Sequence, residues 1–504
     1  MSPHWEIGAA SDGFEPVAQR AHASATRLDP YIVWANLTHY RDLGGIPRGR
    51  VPVVIELKQG GDTARQFACA IERNGWQDWI WMSGLYRDPP PMLEATRFCT
   101  AYVTREFFAH LGTDLAGRFE RVTEALASAA PGDARIHRMR PDHATLKPVP
   151  LREDLGRVIV GVCEEGLSFL HRRYAEDSFG TMTRFQCFWN QNDAANGAKG
   201  LGYGSELLKG RMDAILSDAL PSGDAPHAAG DARVYRLDGA TVVERAGRYR
   251  SRTLKSEHGH DPLLPMIGVQ LRRRNRIMRD AFGPVADADM LDAVRYVVRR
   301  SQDIGGVQSH SLVSLNAANA AWRPDGSSPI EAALDELTDT GACSVVLPSG
   351  NDDLSRSRYA LSISDQAELP WTVRADCPAP SFAEIWFARD VADLGVDLQI
   401  VPPDDIESPW LTRGEIGIYT RGGDVLCSVV HLGRGARGDG HMILVALAPS
   451  TARGKMRRAP CSRWIIRLRN NGCTSLSAQA WLQCEDAADD APLTTPSHPR
   501  GDDH

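Results

Sequence analysis

Glu164-Glu165 follows the apolar run Val158-Ile159-Val160-Gly161-Val162-Cys163, so a pair of carboxylates stands where a strand ends. Such a pair can accept a proton or a hydrogen bond, or simply face water. His258-Gly259-His260 could offer two imidazoles to a metal, but no third ligand lies near them in the sequence. Ten Cys run from Cys69 to Cys484 without a C-x-x-C pair. That matches neither a zinc site nor a disulfide framework, and reads as reduced, mostly buried thiols. Gly200-Leu201-Gly202-Tyr203-Gly204 lacks both the third Gly of a dinucleotide fingerprint and the Gly-Lys-Ser/Thr of a phosphate loop. Arg272-Arg273-Arg274-Asn275-Arg276 and the group Arg453, Lys455, Arg457 and Arg458 could attract an acidic partner or a nucleic-acid backbone. The net charge of −7 and the lack of interleaved aromatics favour solvated loops instead. Trp371, Trp386, Trp464 and Trp481 could line a sugar- or peptide-binding face, although core packing is the commoner use of Trp on strands.

These residues need elements to position them. Val51–Leu57 reads as a strand, 63–74 as a helix, 97–103 as a strand, and Thr104 can cap a helix holding Phe107, Phe108 and Leu111. This is a small α+β domain over 46–148, behind an irregular lead-in at 1–45 and ending at Lys147-Pro148-Val149-Pro150. From 149 to 365 apolar strands alternate with helices: strands at 158–162, Met266–Leu271, Ser311–Leu315 and Cys343–Leu347, helices over 204–217 and around Met290–Val298. Ser328-Pro329-Ile330-Glu331 is a capping box with Pro at the first helical position, and Gly341 ends that helix. Strand, helix, strand with short links predicts an α/β unit with a parallel sheet. Over 366–484 helices nearly vanish and eight short strands with turns between them predict a β-sandwich; 485–504 is acidic and poor in hydrophobics, a disordered tail.

With 504 residues, 42% hydrophobic and 24% charged, the chain is excluded from the wholly disordered, collagen and coiled-coil classes. Only six of its 57 basic residues are Lys. No apolar run approaches the ~18 residues of a membrane span, and the N-terminus carries no secretory signal, which makes the cytoplasm the default location.

The α/β region resembles the subtilisin-like serine peptidase (subtilase) family. Val158 to Gly166 is similar to that family's strand ending in its catalytic Asp, and Val345-Val346-Leu347-Pro348-Ser349-Gly350-Asn351 to the strand ending in Gly-Asn. The turn Asp325-Gly326-Ser327 and the capped helix after it also look like family features. The resemblance implies an α/β fold: a partial subtilisin-like parallel-sheet domain, preceded by an α+β propeptide-like domain and followed by an all-β sandwich of the inserted type. It implies endopeptidase chemistry through a Ser-His-Asp relay and an oxyanion hole, no cofactor, and a peptide or protein substrate rather than nucleic acid or membrane. On this chain the acid position falls on Glu164, the base on His258 and the oxyanion donor on Asn351. Glu is one methylene longer than Asp, a displacement of about 1.5 Å, and a shift of about 1 Å in a catalytic constellation can cost on the order of 100-fold. His258-Gly259-His260-Asp261 lacks the family's Thr, and Pro262 and Pro265 stand where its helix should run. No G-T-S-x-A occurs; the nearest string, Gly472-Cys473-Thr474-Ser475-Leu476-Ser477-Ala478, lies before the last strand of the sandwich. The resemblance therefore implies a peptidase scaffold that is inactive or incomplete as it stands, or one that binds a peptide or protein partner. A second chain could supply the missing segment.

Overall fold

The computed structural model describes residues 3–9, 27–38, 50–124, 158–164, 181–192, 200–219, 234–237, 240–243, 264–272, 287–316, 326–348, 358–375, 379–387, 395–431, 440–451 and 458–483, with 167, 169, 174–177 and 377 besides. The fold is mixed α/β, with several sheets and few helices. Six strands in the middle of the chain form one sheet, in the spatial order Cys343–Val346, His310–Leu315, Val158–Glu164, Met266–Gln270, Phe185–Asn190 and Ser205–Leu208. The first five are parallel and the last runs antiparallel. Val158–Glu164 comes first in the chain yet lies in the middle. The chain moves from it to one side of the sheet and, after Met266–Gln270, crosses to the other with His310–Leu315. The carboxyl ends of Val158–Glu164 and its neighbour His310–Leu315 form the topological switch point, where doubly wound sheets place their ligands.

Helix Asp287–Gly305 covers one face of this sheet, over Ile159, Gly161 and Cys163. Its approach is close enough that a Cβ on Gly161 would lie 2.5 Å from Val297 Cγ1, so glycine is required there. The helix is buried nearly all round, Asp289, Asp292, Arg295 and Arg300 included, because a second sheet packs on its far side. That sheet has the order Arg27–Leu28, Phe119–Glu124, Val51–Leu57, Phe98–Val103, Ile80–Trp81. Helix Ala64–Arg73 is nucleated by a full capping box between Thr63 and Gln66, and helix Pro329–Asp339 by another between Ser328 and Glu331.

The C-terminal strands form two packed sheets. Seven strands are ordered His4–Ala9, Glu415–Arg421, Asp424–His431, His441–Leu447, Ser381–Phe387, Leu476–Gln483, Arg358–Ile363, and three are ordered Gln366–Val373, Ser462–Asn470, Val396–Val401. Side chains from the two meet inside: the ring of Tyr419 lies 6.4 Å from that of Trp464. Trp371, Trp386 and Trp464 are core residues, not a binding face.

Several elements differ from the sequence expectation. The lead-in at 1–45 holds ordered structure: His4–Ala9 adds an edge strand to the sandwich, and helix Pro30–Leu37 is buried against strands Asp424–His431 and His441–Leu447. Asp29 caps that helix with Pro30 at its first position, a legible signal. Arg358–Ile363 pairs with Leu476–Gln483, so the sandwich takes residues from before 366. The helix placed at 204–217 starts at Lys209, after strand Ser205–Leu208. Thr104 precedes helix Arg105–Ala109 but makes no side-chain cap. The tail at 485–504 lies outside the described residues.

Candidate functional site

Glu164 is the last residue of the central strand and stands half-buried at the switch point. Its main chain is locked from both sides. Leu271 N donates to Glu164 O at 2.9 Å, and Asn316 N donates to Cys163 O at 2.8 Å. Beside it the next strand ends in Ser314-Leu315-Asn316, where Ser314 Oγ donates to Asn316 Oδ1 at 3.1 Å. On the other side Gln270 is the register partner of Glu164. A carboxylate, two carboxamides and a hydroxyl thus stand at the carboxyl ends of three neighbouring strands. Such a set can accept and donate hydrogen bonds to a polypeptide backbone, and the carboxylate can hold a cationic group. Asn316 and Gln270 were not singled out in the sequence; their signal is a polar residue that follows an apolar strand (Asn316) or closes one (Gln270).

Of the three residues assigned by resemblance, the structure places Glu164. His258 and Asn351 lie outside the described residues, as do His260 and Glu165. Ser475 is exposed in the turn before Leu476–Gln483, with its hydroxyl 3.4 Å from Ser362 Oγ and 3.5 Å from Ser364 Oγ. It belongs to the sandwich, and neither hydroxyl beside it is a base that could activate it.

The glycine-rich string has a structural task. Gly200, Gly202 and Gly204 all have positive φ. Ser83 Oγ donates to Leu201 O at 2.9 Å, and a Cβ on Gly202 would strike Trp81. The string is the seat on which the N-terminal sheet docks. It also delivers Tyr203 to a buried polar cluster at the start of helix Asp287–Gly305. Asp292 accepts from Tyr86 Oη at 2.9 Å, Thr100 Oγ1 at 2.7 Å and Tyr203 Oη at 2.8 Å. Burial pushes the Asp292 carboxyl up to about 6 against the pull of those hydroxyls, and the nearby Asp289 adds to the rise. Arg272, from the basic cluster read as a solvated loop, lies inside this network. It pairs with Asp289 at 2.6 Å and donates to Tyr102 Oη at 2.6 Å. The solvated reading therefore fails for Arg272, because a buried carboxylate demands its charge. Further along, Arg300 grips Glu206 with two bonds of 2.7 Å while Tyr296 Oη donates to the same carboxylate at 2.8 Å.

In the sandwich His431 and His441 are buried side by side, with His441 Nε2 and His431 Nδ1 3.3 Å apart and His431 Nε2 3.0 Å from Val396 O. Burial depresses both, His441 to about 3 with further depression from His431 and Arg413. They are structural imidazoles held neutral. Among the described residues no three His, Cys, Asp or Glu side chains cluster as a metal site, and no helix is long and apolar enough to cross a membrane.

No family model matches this chain, and no curated protein matches it in sequence. Among solved structures it is similar to the CspB protease of Clostridium perfringens, with 14% identity and a TM-score of 0.46. The match covers 65% of this chain and 61% of that one, so the chain spans less than two thirds of that protein.

Proposed function

We propose that the chain is a subtilisin-like scaffold that does not cut peptide bonds by itself and uses the crevice around Glu164 to bind a peptide or protein segment. The observation that carries the reading is the placement of Glu164. The family's acid position falls on the last residue of the central strand, at the switch point of a doubly wound parallel sheet, while the Ser475 string lies in a sandwich turn beside two other hydroxyls. A relay needs hydroxyl, base and acid within hydrogen-bond reach of one another. On this reading the carboxylate and its polar neighbours serve recognition. The partner this favours is polypeptide, because Glu164, Gln270 and Asn316 suit backbone amides and an occasional cationic side chain.

The test incubates the purified chain with a peptide library made from denatured protein, then separates bound from free peptides and sequences both by mass spectrometry. The expected result is a retained subset with no new peptide termini, and weaker retention with Glu164→Arg. New termini that disappear in Glu164→Ala would overturn the non-cutting half. Retention unchanged by Glu164→Arg would overturn the assignment of the crevice.

A further inference from the structure

At the other end of these strands, away from the crevice, a serine and a histidine are wired together. His310 opens strand His310–Leu315 and Ser344 is second in the neighbouring edge strand. His310 Nδ1 lies 3.1 Å from Gly341 O, and Nε2 lies 3.0 Å from Ser344 Oγ. A carbonyl can only accept, so Nδ1 carries the ring proton. The Nε2 of the neutral ring then accepts from the Ser344 hydroxyl. Hydroxyl, base and a third group that fixes the tautomer are the parts of an activated nucleophile. The third group is held firmly: Gly341, at φ 74°, turns the chain out of helix Pro329–Asp339 and into the edge strand.

The surroundings select the substrate. Ser344 stands opposite Leu312, and His310 opposite Val158, on the face turned away from helix Asp287–Gly305. Leu312 and Val158 are each 40% exposed, and Val346, two residues on from Ser344, is 54% exposed. Apart from Glu164 at the far end, the described residues on this face of the three strands carry no carboxylate, Lys or Arg. Ser311 N donates to Ala342 O, which turns the N–H of Val345 to the outer edge of the sheet, where a main-chain donor stands beside the serine.

We propose that Ser344 and His310 form an acyl-transfer centre, separate from the Glu164 crevice, for small esters with an uncharged apolar acyl group. Ser344 Oγ attacks the ester carbonyl carbon and its proton passes to His310 Nε2. The carbon–oxygen bond to the leaving group breaks, and the leaving alcohol takes that proton. The acyl group stays on Ser344 until water, deprotonated by His310, releases it as the acid and restores the hydroxyl.

The test uses the full chain and a fluorophosphonate, whose P–F bond Ser344 would break with loss of fluoride, read by intact mass and peptide mapping. Each variant is first checked for a cooperative melt equal to that of the unaltered chain. The expected result is one adduct per chain on Ser344, absent in Ser344→Ala and about 100-fold slower in His310→Gln. 4-Nitrophenyl butyrate should give a matching burst of nitrophenolate. No adduct, or an adduct that survives Ser344→Ala, overturns the proposal. If a surviving adduct is lost in Glu164→Ala, the non-cutting reading of the crevice falls as well; if Ser344 is labelled, that reading is untouched.

Discussion

The two faces of the parallel sheet are built differently. Toward helix Asp287–Gly305 lie Ile159, Gly161, Cys163, Val313 and Leu315, and beyond the helix a second sheet closes the layer with buried ions and hydroxyls. The opposite face is covered on one half, where Val162, Phe185, Phe188, Leu207, Met212 and Met266 form a small core of their own. Its other half leaves Leu312 and Val346 in solvent. Parallel sheets are ordinarily buried on both faces. The difference shows where this fold concentrates its specificity. The closed face carries charge in fixed pairs, Arg272 with Asp289 and Arg300 with Glu206. The open face carries almost none.

The contrast can be broken most sharply at two adjacent residues. Val313 is fully buried and Leu312 is 40% exposed. Val313→Asp should abolish the cooperative melt, since an unpaired buried carboxylate costs more than about 4 kcal/mol. Leu312→Asp should change stability by less than about 0.5 kcal/mol. Equal effects would remove the distinction between the faces. Next in size is Arg300→Ala, which strands Glu206 and should cost about 3–5 kcal/mol in denaturant unfolding.

Asp292 sharpens the comparison through pH. Its folded pKa of about 6 lies above the ordinary carboxylate value, so the ionised form is disfavoured in the fold. Its cost to stability is full above about pH 6 and disappears as pH falls toward 4. Asp292→Asn should therefore gain on the unaltered chain at pH 7 relative to pH 4, a shift on the order of 3 kcal/mol. A difference between the two proteins that is the same at both pH values would contradict the buried-ion account. The sandwich responds in the opposite sense. His431 and His441 are depressed, so their contribution is present near pH 7 and lost as pH falls from about 6.5 toward about 3. His441→Phe should flatten that acid loss in a melt of the intact chain.

The strands were legible where the pattern was strong. Val396–Val401 and His441–Leu447 are continuous apolar or alternating runs bounded by turns, within the 366–484 stretch whose pattern predicts short strands. Phe185–Asn190 was invisible because Gln186 and Asn190 interrupt an aromatic run; only the sheet around it makes it a strand. His4–Ala9 escaped notice because its partner is more than 400 residues away. The position of Glu164 was legible from the apolar run before it. The polar cluster was not, because Tyr86, Thr100, Tyr203, Arg272 and Asp292 come together only when two sheets close on one helix.

The central claim is the proposal that the site around Glu164 binds polypeptide without cutting it. A pool of quenched fluorogenic peptides, incubated with the unaltered chain and with Glu164→Asp, tests it most directly. On the proposed non-cutting reading the shorter acid alone brings no turnover, so neither protein should release fluorescence above a blank. Turnover by either one that is lost in Glu164→Ala would contradict the account.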